Sequence, residues 1–239
     1  MSLSEQGVLV ARAAGLGLHL RGDRVALLKQ YWELLTAASR VLGLVGPAKV
    51  SGTWVDEMLD AVAPAAVIPR GAKAVLDLGS GGGLPGVPVA ALLPGIRMTL
   101  LDSNRRKAAF LSDVVWRLGL GNCRVVSERA EVVAHRAGER ESYDVVLARA
   151  VAPLPVLLEL ALPFVAVGGS GIFHKGPGLA GEMVAAERAL RLVGGEWGGV
   201  WWYVIPPGTR RALLVVRKVV STPPKLPRRV GVAGRVAWE

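Results

Sequence analysis

The run Val75-Leu76-Asp77-Leu78-Gly79-Ser80-Gly81-Gly82-Gly83-Leu84-Pro85-Gly86 joins a short apolar stretch, an acid near its end and a glycine-rich turn that opens a helical pattern. Glycines at such a turn let the backbone reverse sharply and approach a ligand with no Cβ in the way, which implies a nucleotide-like cofactor. Gly81, Gly83 and Gly86 also spell the G-x-G-x-x-G dinucleotide pattern, but Pro85 at the start of the helix has no N–H to offer a pyrophosphate. Asp77 turns the reading. A carboxylate two residues before the first glycine repels a pyrophosphate and suits the ammonium and sulfonium of S-adenosylmethionine. The stretch therefore reads as a methyl-donor site, with Asp77 and the Gly79 to Gly83 loop (Gly79, Ser80, Gly81, Gly83) holding the methionine portion.

Further chemistry falls at the ends of the following apolar runs, where open parallel sheets bind their ligands. Asp102 lies about 25 residues beyond Asp77, close to the spacing at which an acid grips ribose hydroxyls, and Ser103 beside it joins the candidate cofactor residues; the alternative for Asp102 is a cap on the next helix, a job Ser103 or Asn104 could do as well. Arg129-Ala130-Glu131 falls where an adenine would lie. Ala148-Arg149-Ala150-Val151-Ala152-Pro153-Leu154 contains no Asn-Pro-Pro-Tyr-like cluster for an exocyclic amine and no cysteine for attack on pyrimidine C5. A target with its own lone pair remains, and a ring nitrogen such as guanine N7 needs alignment and desolvation but no general base. Arg149, amid apolar residues, is the candidate to orient the reacting region, with a buried structural ion pair as its alternative. Lys175 and Arg211 are candidates for RNA phosphates. Trp197, Trp201 and Trp202 read as packing residues of a hairpin.

The elements that must position these residues follow from periodicity. Asp23 to Leu44 carries apolar residues at helical spacing, Gly43 to Pro47 breaks it, a second helix is predicted over Trp54 to Val62, and Pro64 to Gly71 reads as a linker. Strand-like runs at Ala74 to Leu78, Arg97 to Leu101, Arg124 to Val126, Tyr143 to Leu147 and Gly171 to His174 alternate with helical patterns, the mark of βαβ units. Trp197 to Ile205 and Arg211 to Val219, joined by Pro206-Pro207-Gly208-Thr209, form a hairpin. The expected fold is α/β: a doubly wound, mostly parallel sheet ending in an antiparallel hairpin, as in Rossmann-like class I methyltransferases. Three parts are expected: a small N-terminal helical region (1–70), the Rossmann-like domain (71–220) and a C-terminal tail (221–239). The tail, with three prolines and Lys225, Arg228, Arg229 and Arg235, reads as extended and open to phosphates.

Composition sets bounds. The 239 residues are 51% hydrophobic, enough for one full core. The most apolar segment, Val151 to Gly171, holds Glu159 and three prolines and does not read as a membrane span. The first residues lack a basic leader region, so a cytoplasmic protein is expected. A single cysteine, Cys123, excludes an internal disulfide, and the scattered His19, His135 and His174 give no metal-ligand spacing. Without a coiled-coil seam a monomer is expected. The formal net charge of +10 asks for a polyanionic partner, nucleic acid first.

Together, Asp77 to Val89, Leu100 to Leu111, Arg129-Ala130-Glu131, Ala148 to Leu154 and Pro227-Arg228-Arg229-Val230-Gly231 resemble the bacterial RsmG (GidB) family of small-subunit ribosomal RNA guanine-N7 methyltransferases. The resemblance implies S-adenosylmethionine as cofactor, and a guanine in the loop of 16S ribosomal RNA beside the decoding centre, free or in the 30S particle, as target. It points to Gly79, Leu84, Ala130, Glu131 and Arg149 as cofactor contacts, and to Arg129, Arg149 and Arg211 as sensitive basic positions. The chain departs from the family pattern in three places. Gly43-Leu44-Val45-Gly46-Pro47 replaces an Asn-Leu-Thr motif, Asp56-Glu57 replaces an Arg-His pair and so reverses its charge, and Val230 and Ala233 replace prolines. Two other classes stay open on the residues alone: a nicotinamide-dependent oxidoreductase, from the literal glycine pattern, and a non-catalytic RNA-binding assembly factor, from Asp56-Glu57 and the charge.

Overall fold

The structure, a computed structural model, describes residues 4–42, 44, 53–206 and 208–234. Of the predicted break at Gly43 to Pro47 only Leu44 is among them; Pro207 and Arg235 also lie outside. Strands β1 (Ala74–Leu78), β2 (Arg97–Asp102), β3 (Cys123–Ser127), β4 (Tyr143–Arg149) and β5 (Val165–Lys175) run parallel, and β6 (Gly195–Ile205) and β7 (Thr209–Lys218) form the antiparallel hairpin. The sheet order is β3-β2-β1-β4-β5-β7-β6. The chain therefore winds outward from β1 to β3 and returns beside β1 as β4, which puts the topological switch point between β1 and β4.

Strand alternation divides the core. Val75 and Leu100 face helices α1 (Glu5–Gly15), α2 (Gly22–Leu42), α3 (Trp54–Val62), α4 (Gly86–Leu92) and α5 (Arg105–Arg117), while Leu76, Leu78 and Leu101 face α6 (Ala130–Val133), α7 (Leu154–Ala161) and α8 (Leu179–Leu192). The N-terminal helices share one apolar cluster with the sheet, and the predicted linker contributes Ile68 to it. Helix α1 was not foreseen from periodicity: Ser4 caps it by accepting from the Gly7 N–H at 3.2 Å, and only Leu9 and Ala13 are fully covered. Strand β5 starts six residues earlier than its apolar run, because its first half is glycine-rich and enters the sheet through an irregular register between Tyr143 and Val145.

The tail corrects the sequence reading. Arg140 donates to the carbonyls of Thr222, Pro223 and Leu226 at 2.7 to 3.1 Å, and Arg228 forks onto Glu159, whose side chain is 0% exposed. A buried carboxylate needs a cation, so Arg228 is a structural partner and the segment is strapped to the body.

Candidate functional site

Strand β1 delivers the chain to the turn over the sheet's carboxyl edge. The N–H groups of Gly79 and Ser80 both donate to the Leu101 carbonyl, tying the turn to β2, and the Tyr31 hydroxyl of α2 donates to the Gly82 carbonyl at 2.8 Å. Two glycines are required by contact. A Cβ on Gly79 would lie 2.9 Å from Val151 Cγ2, and one on Gly86 would lie 2.6 Å from Asp77 Oδ2.

Asp77 sits beneath this turn, 1% exposed. Its Oδ2 accepts from the Gly86 N–H at 3.1 Å, and its Oδ1 has no hydrogen-bond partner. Burial pushes its carboxyl up to about 7. The N–H that would face a pyrophosphate at a dinucleotide site thus points inward to a carboxylate, which removes the structural basis for the oxidoreductase reading. Asp77 is not among the residues lining the two cavities described below; it lies beneath the loop.

A cavity of about 200 Å³ opens at the ends of β1, β2 and β3, lined by Gly79, Asp102, Ser103, Arg129, Ala130 and Glu131 among others. Asp102 accepts from the Gly81 N–H and the Asn104 N–H, both at 2.8 Å, and Asn104 rather than Ser103 caps α5. Glu131 is buried at the far end, accepting from Arg129 Nη2 at 3.0 Å and from the Gly231 N–H of the tail at 3.2 Å. Burial alone would raise its carboxyl, but these donors and its own backbone N–H hold it below the ordinary value. Of the predicted cofactor residues, Gly79, Asp102, Ser103, Ala130 and Glu131 line this cavity. Ser80, Gly81, Gly83 and Leu84 shape the turn instead: Ser80 donates to the Asp77 carbonyl and Gly83 to the Ser80 carbonyl.

A second cavity, of about 570 Å³, lies across Val151, which lines both. Arg149, 6% exposed, sits at its base. Its Nη2 donates to Glu57 at 2.6 Å, and its Nη1 lies 3.0 Å from Asp60 Oδ2 without the alignment of a hydrogen bond. The alternative foreseen for Arg149, a buried ion pair, is what holds it. Burial would raise the Asp60 carboxyl, but His174, Arg149, Tyr203 and Arg211 hold it below its usual range. Sequence reasoning missed Asp60 and the role of Glu57. The sequence signal was there: two acids three residues apart lie on one face of an amphipathic helix.

The basic candidates divide. Arg211 and Arg129 keep 39% and 47% of their side chains exposed beside Asp60 and Glu131, and Arg229 is exposed. Lys175 does not fit its phosphate assignment, because its Nζ is 2.6 Å from Glu182 and that carboxylate would repel a phosphate. Trp197 donates to Glu187 and Trp201 stacks on Tyr203, as packing residues do, whereas Trp202 is 42% exposed under the Arg210 guanidinium. Among the described residues no group of three or more His, Cys, Asp or Glu is placed to hold a metal ion, and no helix is long and apolar enough to cross a membrane.

A doubly wound sheet with a glycine turn over β1, an acid closing β2 and a second cavity at the ends of β4, β5 and β7 defines the Rossmann-like methyltransferase class. An O-methyltransferase from Bacillus cereus, solved in complex with SAH, superposes with a TM-score of 0.58 at 14% identity over 88% of this chain and 97% of that one, which shows the fold. The GidB family model, described as rRNA small subunit methyltransferase G, matches residues 24–197. Proteins named ribosomal RNA small subunit methyltransferase G from Carboxydothermus hydrogenoformans and Rubrobacter xylanophilus are 34% and 37% identical, each over 92% of this chain and over 94% and 85% of their own lengths. The chain belongs to this family of ribosomal RNA methyltransferases.

Proposed function

We propose that the chain transfers a methyl group from S-adenosylmethionine to N7 of a guanine in 16S ribosomal RNA, working as a cytoplasmic monomer on the small subunit or its RNA. The observation that carries this reading is the meeting of two cavities at Val151, one shaped for a nucleoside and one large enough for a purine. The donor set fits the cofactor: Asp102 and Ser103 stand where ribose hydroxyls need acceptors, Ala130 and Glu131 close the adenine end, and the Gly79 to Leu84 turn carries the methionine portion. The unpartnered Asp77 Oδ1 supplies negative charge from beneath. When bound, S-adenosylmethionine provides an electrophilic methyl on a sulfonium.

Guanine N7 holds no proton, so the chain's residues need to align and desolvate rather than accept a proton. Arg149, locked by Glu57 and Asp60, is positioned to orient the reacting region from the floor of the second cavity. Arg129, Arg211 and Arg229 offer exposed charge to the RNA backbone. Mapping N7-methylguanosine in ribosomal RNA from cells with and without the gene tests the reading: loss of one methylated guanine is expected, and equal modification in both overturns it.

A further inference from the structure

Consecutive residues of a strand point to opposite faces, and at the end of β5 this sends His174 to the Asp60 carbonyl on α3 and Lys175 to Glu182 on α8. The Lys175 ammonium is 8% exposed and lies 2.6 Å from Glu182 Oε2, and both side chains line the second cavity. The same cavity is also lined by Val151, Ala152, Pro153 and Leu157, an apolar stretch of the wall. The site therefore offers a flat ring two things at once: an apolar face to lie against, and a donor next to an acceptor at the edge. The pair itself is neutral, so Lys175 holds no free charge for a phosphate.

We propose that the Lys175–Glu182 pair reads the Watson–Crick edge of the target base and selects guanine, a specificity that rests on the methyl-transfer reading above. Guanine carries an acceptor, O6, next to a donor, N1–H. Lys175 Nζ donates to O6 while Glu182 accepts from N1–H, and the ion pair already holds both groups at neighbouring positions. Adenine presents the reverse order, a donor at N6 and an acceptor at N1, which sets N–H against ammonium and a lone pair against carboxylate. Its rejection comes from two mismatches at once, each leaving a polar group of the pair facing a like partner. With that edge held at α8, the imidazole ring of the base, which bears N7, is directed away from the pair and toward Val151, the boundary with the cofactor cavity.

The test uses small subunits reconstituted with 16S ribosomal RNA carrying guanosine, inosine or 2-aminopurine at the methylated position. Inosine keeps O6 and N1–H. The 2-aminopurine ring keeps N7 and its shape but lacks both. Wild-type protein is expected to methylate guanosine and inosine at similar kcat/KM and 2-aminopurine about tenfold to a hundredfold more slowly. Glu182→Ala is expected to lower kcat/KM on guanosine and inosine until all three RNAs agree within a few-fold, with S-adenosylhomocysteine affinity by calorimetry unchanged. Should that variant lose the cofactor, Lys175→Met carries the same comparison through the lost O6 donor. Retention of the wild-type ratio in the variant that still binds cofactor overturns the assignment and leaves guanine methylation standing. A wild-type protein that methylates the guanosine and 2-aminopurine RNAs equally does the same. A wild-type protein that methylates none of the three overturns both readings together.

Discussion

The two cavities are built from different materials. Around the first, Gly79, Gly81, Ser80 and Asn104 hold the geometry through backbone N–H groups aimed at Leu101 and Asp102, all within some 25 residues of sequence. Around the second, the walls are fixed by ion pairs between elements: Arg149 reaches back 92 positions to Glu57, and β5 is tied to the helix that follows it, α8, through Lys175 and Glu182. A backbone frame tolerates side-chain change, whereas a buried ion-pair frame leaves an uncompensated charge when one member is lost.

That contrast is broken or sustained most sharply at Arg149. Arg149→Met leaves Glu57 and Asp60 facing each other in a covered site, and a destabilisation of about 3 to 5 kcal/mol is expected. Ser103→Ala, in the backbone-framed cavity, is expected to stay within about 0.5 kcal/mol. Denaturant melts of the two variants decide the matter; equal losses would show that the two frames do not differ.

Asp77 is the one acid of the first region that is not satisfied, and its pH behaviour gives the next largest effect. Its carboxyl is raised from 3.8 to about 7 in the folded protein, so the native state holds a proton that the unfolded chain releases. Stability therefore falls as pH rises from about 4 to about 7 and is level above that, by at most about 4 kcal/mol if the whole rise is expressed. Asp77→Asn should abolish that slope and be the more stable protein at pH 8, while binding S-adenosylhomocysteine more weakly and without the strengthening expected of the wild type between pH 6 and pH 8. Parallel stability slopes for the two proteins would remove Asp77 as the titrating group.

The same contrast explains what the sequence made legible. The bounds of β1 and α3 match their apolar patterns residue for residue, and the glycine turn with Asp102 was readable because its parts are close in sequence and each residue type has one job there. Lys175 and Arg228 were misread as free cations because their partners, Glu182 and Glu159, act only once α8 and α7 are packed. The burial of Asp77 was equally hidden: a carboxylate beside a glycine turn has the same spelling whether it faces a ligand or the floor of a helix.

The tail tests whether the first cavity has any long-range support. Arg228→Ala strands Glu159 in the core and should lower stability by about 3 kcal/mol, speed proteolysis after Thr222, and weaken cofactor binding by loosening the Gly231 donor to Glu131. Arg229→Ala should leave stability and cofactor affinity alone and reduce by about one the slope of log RNA affinity against log salt. If Arg228→Ala behaves as Arg229→Ala does, the strap is no part of the cofactor site.

A small effect is expected where the N-terminal helices touch the glycine turn. Tyr31 is 1% exposed and its hydroxyl donates to the Gly82 carbonyl at 2.8 Å. Tyr31→Phe keeps the packed ring and removes only that donor, so about 1 kcal/mol of stability is at stake. The turn is already held by Leu101, Asp102 and Ser80 through its own backbone. S-adenosylhomocysteine affinity should therefore move by no more than a few-fold. A tenfold or greater loss by calorimetry would mean that α2 sets the shape of the turn, and that the first cavity, like the second, depends on a contact made across the whole fold.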